Sequence, residues 1–202
     1  MALDEALLEL AAQPVLRCYG WTQPAATFGY SQKFSALAQL TTLRPLIRRP
    51  TGGGLVLHTA DWTYSAVFPA GHAWFALRAE ESYRGIHELI RVAFAQLGVT
   101  TELAVCCQKT LPGQCFVGHE KYDLLWHGKK IAGAAQRRTQ TGLLIQGSVQ
   151  PPPLGLAREV FEAAFAVAAG ATKIFLPSPT FLARAAALAA EKYSQPTHNE
   201  RR

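Results

Sequence analysis

The chain has 202 residues, of which 49% are hydrophobic and 17% charged, so its composition excludes a disordered chain and predicts one globular domain over 1–202. The net charge is +6, but no dense basic run with interleaved aromatic residues occurs, so no nucleic acid partner is expected. The charge indicates either a solvated basic face or complementarity to an acidic protein. No apolar run is long enough to cross a bilayer, and Asp4 and Glu5 stand where a signal peptide would be basic, so we expect a cytoplasmic protein without membrane attachment.

The first half of the chain predicts one helix followed mainly by strands. Strong helix formers occupy 2–11, with acidic residues in the first turn, and Pro14 ends this helix. Alternating or continuous apolar runs then predict strands over 15–19, 27–30, 46–49, 55–58 and 62–68, with a short helix or helical turn over 34–43.

The second half predicts one long helix, a group of strands and two final helices. Apolar residues at helical spacing cover 82–97, and Gly98 follows as a C-cap. We expect a strand over 103–106, a loop over 108–118, a hairpin of 122–126 and 130–137, and a strand over 143–149. Helices are predicted over 156–168 and 179–193, the second capped by Ser178, before a loose polar tail from about 194. The predicted fold class is α/β (α+β), with mixed, largely antiparallel sheets flanked by helices.

Three consecutive glycines lie between two predicted strands, in the segment Arg48-Arg49-Pro50-Thr51-Gly52-Gly53-Gly54. A glycine run lets a ligand approach the backbone closely, and its amides can face an anion or a carbonyl with Arg49 nearby. Neither the Lys-Ser/Thr of a phosphate-binding loop nor the spacing of a dinucleotide fingerprint is present. The alternative interpretation is a flexible hairpin turn.

A second segment, Gly128 to Gln136, begins a predicted strand with Lys130 and continues with very small residues, among them Gly133 and Ala134. A strand of small side chains leaves room for a ligand against the sheet, with a lysine at its mouth. The alternative is a surface lysine on an alanine-rich strand.

Taken in order, these segments resemble the biotin/lipoate protein ligase family, on its lipoate and octanoate side. The run that ends at His58 resembles the family's RRxSGGGxVxH motif, and GKKIAGAAQ resembles a second family motif, whose lysine, here Lys130, contacts the acyl carbonyl. The opening helix, the block over 21–32 and the strand over 143–149 also resemble family segments. The resemblance implies a catalytic domain like that of biotin protein ligase, related to class II tRNA synthetases. It implies that the substrate is bound by Arg49, Thr51, Gly52, Gly53, Gly54, His58, Gly133 and Ala134.

Two positions depart from the family pattern. Thr59 stands where members usually carry an aspartate after the histidine, and Asp61 follows two residues later. Thr51 replaces the commoner serine and keeps the hydroxyl.

The family contains two chemistries, and Cys115 favours one of them. Cys115-Phe116, fifteen positions before Lys130, resembles the Cys-Phe segment of cysteine-dependent octanoyltransferases. That likeness implies Cys115 and Lys130 as catalytic residues, an octanoyl group taken from acyl carrier protein, and a lysine acceptor on lipoyl domains of E2 subunits or glycine-cleavage H protein. No cofactor or metal is then expected.

Several alternatives stay open. ATP and Mg²⁺ would be needed if the chain is a lipoate-protein ligase instead, and an amidotransferase between lipoyl proteins shares the same motifs. A non-catalytic binder of lipoyl proteins or biotin is a third class, which the intact motifs disfavour. Cys115 itself could be an accidental loop cysteine. The other cysteines, Cys18, Cys106 and Cys107, have no zinc-type spacing and are expected to be small buried residues.

Overall fold

A computed structural model describes residues 1–109 and 118–201. Within these ranges the elements, in chain order, are α1 (Ala2–Leu10), β1 (Val15–Tyr19), β2 (Ala25–Phe28), α2 (Phe34–Leu37), β3 (Leu46–Arg48), β4 (Val56–His58), β5 (Trp62–Pro69), α3 (Ala73–Ala76), α4 (Ala79–Gln96), β6 (Glu102–Leu103), β7 (Gln108–Lys109), β8 (Gly118–His119), β9 (Leu124–Trp126), β10 (Lys129–Arg138), β11 (Gly142–Val149), α5 (Arg158–Ala168), α6 (Pro179–Leu188) and α7 (Pro196–Asn199), with a π-helical turn (Ala189–Tyr193) between the last two.

The strands form one large sheet and two small ones. The large sheet has the order β1-β5-β11-β10-β9-β6, and each neighbouring pair is antiparallel. The second sheet has the order β3-β2-β4, in which β2 and β3 are parallel, and β7 pairs with β8 in the third. The predicted fold class, mixed but largely antiparallel sheets with helices beside them, is confirmed.

Strands β5 and β11, which are neighbours in the large sheet, are buried on both faces because helices cover each side. Ala66, Leu143 and Ile145 belong to one core cluster, together with residues of α4 and α5. Val67 and Leu144, whose side chains point the other way, pack with residues of α1 and α6 in a second cluster. This double coverage explains why β5 and β11 are continuous apolar runs broken only by a few polar side chains.

Most predicted elements are present, and three predictions are wrong. The tail after 194 is polar but does not lie loose: it forms α7, and backbone carbonyls there accept hydrogen bonds from Arg48. The segment predicted as a loop begins and ends in a paired strand, β7 with β8. Cys106 and Cys107 are exposed instead of buried, and Cys18 is half-buried.

Two smaller differences concern helices. The predicted helix over 34–43 is only one turn, α2, and the turn α3 has no counterpart in the sequence-based prediction. The cap at Ser178 is confirmed, since its hydroxyl accepts a hydrogen bond from Phe181 N at 3.2 Å. None of the helices in the described ranges combines the length and apolar character that a bilayer span requires.

Candidate active site

A cavity lies between the loop that joins β3 to β4 and the small-residue strands β10 and β11. It is lined by Met1, Tyr19, Thr27, Arg49, Gly53, Val56, His58, Thr63, Lys130, Gly133, Ala134, Ala135, Gln146, Gly147 and Ser148. The structure therefore brings together six of the residues predicted from the sequence, namely Arg49, Gly53, His58, Lys130, Gly133 and Ala134.

The glycine-rich loop is held in place by Arg49, which is almost completely buried. Its guanidinium donates to the carbonyl oxygens of Gly52 and Gly54, at 2.9 and 2.8 Å, and to Thr27 Oγ1 at 2.8 Å. The backbone of the loop therefore wraps around the Arg49 side chain, and Gly53 lines the cavity. The predicted roles of these residues in binding a substrate stay predictions. A solvated basic face does not include Arg48 or Arg49, which are only 1% and 6% exposed.

Thr51 is tied to the opposite side of the cavity through its hydroxyl. Thr51 Oγ1 donates to Gln146 Oε1 at 2.8 Å, and the amide nitrogen of Gln146 donates to Asp4 Oδ2 at 2.7 Å. Asp4 is fully buried and also accepts from Arg17 and Ser65. Burial raises the pKa of Asp4, but the nearby cationic groups and hydrogen bonds outweigh it and hold the pKa below its usual value. A hydroxyl at position 51 is therefore part of a buried polar network.

His58 is fixed at both ring nitrogens. Nδ1 lies 2.8 Å from Asp61 Oδ2, and Nε2 lies 2.8 Å from Thr27 Oγ1. The ring also stacks on Trp21, with 4.3 Å between centroids. Asp61 thus supplies the carboxylate beside the histidine, although the sequence carries Thr59 at the position where family members have it.

The Asp61 carboxylate is itself well supported. Ser148 Oγ donates to Oδ2 at 2.6 Å and Thr63 Oγ1 donates to it at 3.0 Å. Burial raises the pKa of Asp61, but its hydrogen bonds with His58, Ser148 and Thr63 outweigh burial and lower the pKa below the usual value. The carboxylate can only accept, so Nδ1 of His58 carries a hydrogen and donates to Asp61. His58 therefore supports the glycine-rich loop indirectly, because Thr27, which it contacts, also accepts a hydrogen bond from Arg49.

Lys130 reaches the cavity because β10 is irregular where the lysine stands. The pairing with β9 shifts register between Lys130 and Ala132, and such a bulge redirects a side chain. Its ammonium forms an ion pair with Asp123 Oδ2 at 2.7 Å, and the lysine side chain is only 8% exposed. A Cβ at Gly133 would lie 2.7 Å from Lys130 Cε, so a larger residue there would displace the end of the lysine. The alternative of a surface lysine is wrong.

Sequence reasoning missed three residues that hold the predicted ones, Thr27, Asp123 and Gln146, and it named Asp61 without assigning it a contact. One indication was available for Asp123, a carboxylate directly before the apolar pair Leu124-Leu125 in a predicted hairpin strand. Cys115 lies outside the described residues, so its predicted catalytic role stays a prediction.

Comparisons with known proteins identify the family to which the chain is similar. Residues 1–150 match the family model of the lipoyl protein ligase A/B catalytic domain. The octanoyltransferase LipM of Macrococcus caseolyticus is 35% identical over 165 residues, which are 74% of this chain and 60% of that protein. The LipM of an Exiguobacterium species is 34% identical over 183 residues, 83% of this chain and 65% of the relative. The chain therefore spans about three fifths of the length of these relatives.

Solved structures show the same fold at low sequence identity. A lipoate-protein ligase A bound with ATP superimposes with a TM-score of 0.78 at 19% identity, covering 98% of this chain and 92% of that one. A bipartite lipoate protein ligase of Thermoplasma acidophilum, studied with its E2 lipoyl domain, gives a TM-score of 0.74 at 18% identity, with coverages of 98% and 89%.

Proposed function

The chain belongs to the lipoyl protein ligase A/B catalytic domain family, and on this premise we propose that it transfers an octanoyl group from a carrier protein to a lysine of lipoyl domains. The relatives named octanoyltransferase LipM support this choice of chemistry over ligation. The acceptors would be the lipoyl domains of E2 subunits or glycine-cleavage H protein, and the donor would be octanoyl acyl carrier protein.

The observation that carries the proposal is the placement of Lys130 in the cavity. Its ammonium lies beside Gly133, on a wall of small residues that face the glycine-rich loop. An acyl thioester needs space for its tail and a positive charge at its carbonyl oxygen, where charge develops as a nucleophile attacks. Removing one such donor costs about 3 kcal/mol, which is on the order of a hundredfold in rate.

The proposed reaction has two steps, and Cys115 is the nucleophile in the first and the leaving group in the second. In the first, the Cys115 thiolate attacks the thioester carbonyl, the bond to the carrier sulfur breaks, and the carrier leaves as a thiol after taking up a proton. In the second, the lipoyl-domain lysine attacks the octanoyl-cysteine, an amide forms, and the departing Cys115 sulfur takes the proton that the amine loses. Dividing the reaction in this way lets two bulky proteins use one site in turn.

His58 takes no part in the proposed proton transfers. Both of its ring nitrogens are already hydrogen-bonded, to Asp61 and Thr27, so the proposal routes no proton through it. The chemistry needs no nucleotide or metal ion. The net charge of +6 suits acidic protein substrates, because opposite charge accelerates the encounter of two proteins.

The test is an assay with octanoyl carrier protein and an apo lipoyl domain, with and without ATP, followed by the mass of the lipoyl domain. We expect transfer without ATP, and an enzyme that gains one octanoyl group, labile to hydroxylamine, when mixed with the donor alone. Cys115→Ala should gain none. The matched controls are Cys106→Ala and Cys107→Ala, which remove exposed cysteines from the same part of the chain and should transfer normally.

Other outcomes identify the alternatives. Modification of the lipoyl domain only from free lipoate and ATP, undiminished in Cys115→Ala, would make the chain a ligase. Transfer only from an octanoylated lipoyl protein would make it an amidotransferase. No modification under any of these conditions would contradict the proposal and favour a binding protein.

A further inference from the structure

Asp123 is a fully buried carboxylate that precedes the GKKIAGAAQ segment, and it contacts the lysine of the cavity directly. Its Oδ2 lies 2.7 Å from Lys130 Nζ and accepts a hydrogen bond from Glu120 N at 2.6 Å. Its Oδ1 accepts a hydrogen bond from the hydroxyl of Tyr83, which projects from α4. Both oxygens are therefore engaged, by groups from three different parts of the chain.

This arrangement fixes the orientation of the carboxylate. Tyr83 prevents rotation at one oxygen, and the backbone amide of Glu120 holds the other. The hydroxyl of Tyr83 also lies 3.5 Å from Ala134 N, on the strand that forms the cavity wall. Through Tyr83, the Asp123 carboxylate is fixed relative both to α4 and to β10, the strand that carries Lys130.

The lysine, in turn, has a long and flexible side chain. Four rotatable bonds give a free lysine many positions, and confining it costs conformational entropy. A point charge at the carbonyl oxygen is effective only if its position is set before the reaction begins. An ammonium carries three N–H groups, so one fixed partner can orient it while another N–H faces a ligand.

We propose that Asp123, fixed by Tyr83, is a positioning residue that holds the Lys130 ammonium at the place where the acyl carbonyl binds. The inference rests on the proposed acyl transfer and deepens it, since it assigns the geometry of the lysine to a specific carboxylate. Asp123 does not touch the substrate. It acts through Lys130.

A merely structural ion pair would make a different prediction, and a double-mutant cycle separates the two. If Asp123 acts through Lys130, Asp123→Asn should lower the turnover number about a hundredfold and change the Michaelis constant for the carrier little. In a Lys130→Gln background the same substitution should lower turnover no further, because the group it positions is already absent.

Two further variants complete the set. Tyr83→Phe leaves the ion pair in place and removes only one hydrogen bond of Asp123, so turnover should fall about fivefold. This variant keeps the test decisive even if Asp123→Asn does not fold. The matched control is Glu80→Gln, which removes the carboxylate from an exposed ion pair with Lys121 and should leave turnover unchanged.

A measurement that does not depend on acyl transfer accompanies the cycle. Amine labelling of the purified protein, analysed by mass spectrometry, gives the modification rate of Lys130 relative to that of the exposed Lys129. We expect Asp123→Asn to raise this ratio several-fold, because the lysine is no longer held. If wild-type protein transfers no octanoate but the ratio rises as expected, the proposed function fails and the positioning of Lys130 by Asp123 stands. Additive losses in the double mutant, or wild-type turnover in both Asp123→Asn and Tyr83→Phe, would overturn the inference.

Discussion

Arg48 and Arg49 are neighbours at the end of β3, yet their side chains lie on opposite sides of the second sheet. Consecutive residues of a strand point to opposite faces, so the two guanidinium groups separate at once. Arg49 turns toward the cavity, where it binds Thr27 and the carbonyls of Gly52 and Gly54. Arg48 turns away from the cavity and is 1% exposed.

The acceptors of Arg48 are all backbone carbonyls, and most of them lie far along the chain. They belong to Tyr30, Gln32, His198, Asn199 and Arg201, at distances of 2.6 to 3.2 Å. The backbone amide of Arg48 also donates to Asn199 Oδ1 at 3.0 Å. Arg48 therefore docks the C-terminal segment against the second sheet.

The comparison shows that one motif contains two different functions. The second arginine shapes the loop from within, while the first fastens a distant segment behind it. A requirement for two adjacent arginines thus does not mean that both face a ligand. Substitutions on the two sides should separate stability from activity.

The largest effect is expected for Arg48→Met. Methionine fills much of the space but donates nothing, so the buried carbonyls lose their partner, and we expect a loss of about 4 kcal/mol of unfolding free energy. Urea unfolding at neutral pH measures it. The control is Arg44→Met, since Arg44 also donates to nearby carbonyls but is exposed, and its loss should be within about 0.5 kcal/mol. Equal losses in the two variants would mean that other contacts hold the C-terminal segment.

The next prediction concerns the loss of stability at acidic pH. It compares His87, on the cavity side, with His198, in the segment that Arg48 docks. His87, behind the lysine of the cavity, is fully buried, and burial lowers its pKa from 6.5 to about 4, while the charge of Asp123 acts in the opposite direction. Burial also lowers the pKa of His198 in the segment that Arg48 docks. Because the unfolded chain takes up these protons at higher pH than the folded one, stability is complete above the unfolded value and decreases as pH falls below it.

For His87 the window runs from pH 6.5 down to about 4, and the decrease amounts to about 3 kcal/mol. We expect His87→Gln to remove most of this slope in urea unfolding measured across the window. His198→Gln should remove a smaller part, because its ring is less deeply buried. A slope in His87→Gln equal to that of the wild type would show that His87 does not cause the acid sensitivity.

The sequence was sufficient for the parts of the site that are contiguous in the chain. The glycine-rich loop and the small strand after Lys130 follow from local composition, because glycine and alanine remove side chains from a ligand's path. The residues that hold these segments could not be found in this way. Thr27 contacts His58 across two strands of the second sheet, and Tyr83 reaches Asp123 from a helix. Such contacts depend on topology, which periodicity does not encode.

The C-terminal segment is a second case in which composition did not predict which groups come into contact. Its polar composition favours a solvated tail, and that prediction was wrong because three of its backbone carbonyls accept hydrogen bonds from Arg48, while Asn199 Oδ1 accepts from the Arg48 amide. Carbonyl oxygens are present at every residue, so composition gives no indication of which ones a buried arginine will use.

The smallest of the three effects on stability is expected on the cavity side, for Thr27→Val. Valine has nearly the shape of threonine, so packing in β2 is kept and only the hydroxyl between His58 and Arg49 is lost. His58 Nε2 and one N–H of Arg49 then lose a partner in a buried setting, and we expect about 2 kcal/mol of destabilisation. Thr27→Ser, which keeps the hydroxyl, serves as the control and should recover most of the activity.

Activity distinguishes this variant from Arg48→Met more sharply than stability does. Without the Thr27 hydroxyl, the Asp61-His58 pair no longer reaches Arg49, so the carbonyls of Gly52 and Gly54 lose a rigid partner at the wall of the cavity. Octanoyl transfer by folded Thr27→Val should therefore fall about tenfold, as expected for one mispositioned polar contact of about 1.4 kcal/mol. Assays at saturating donor, with the folded fraction measured in parallel, test this. A Thr27→Val protein that is less stable yet transfers at the wild-type rate would show that the loop needs no support from His58.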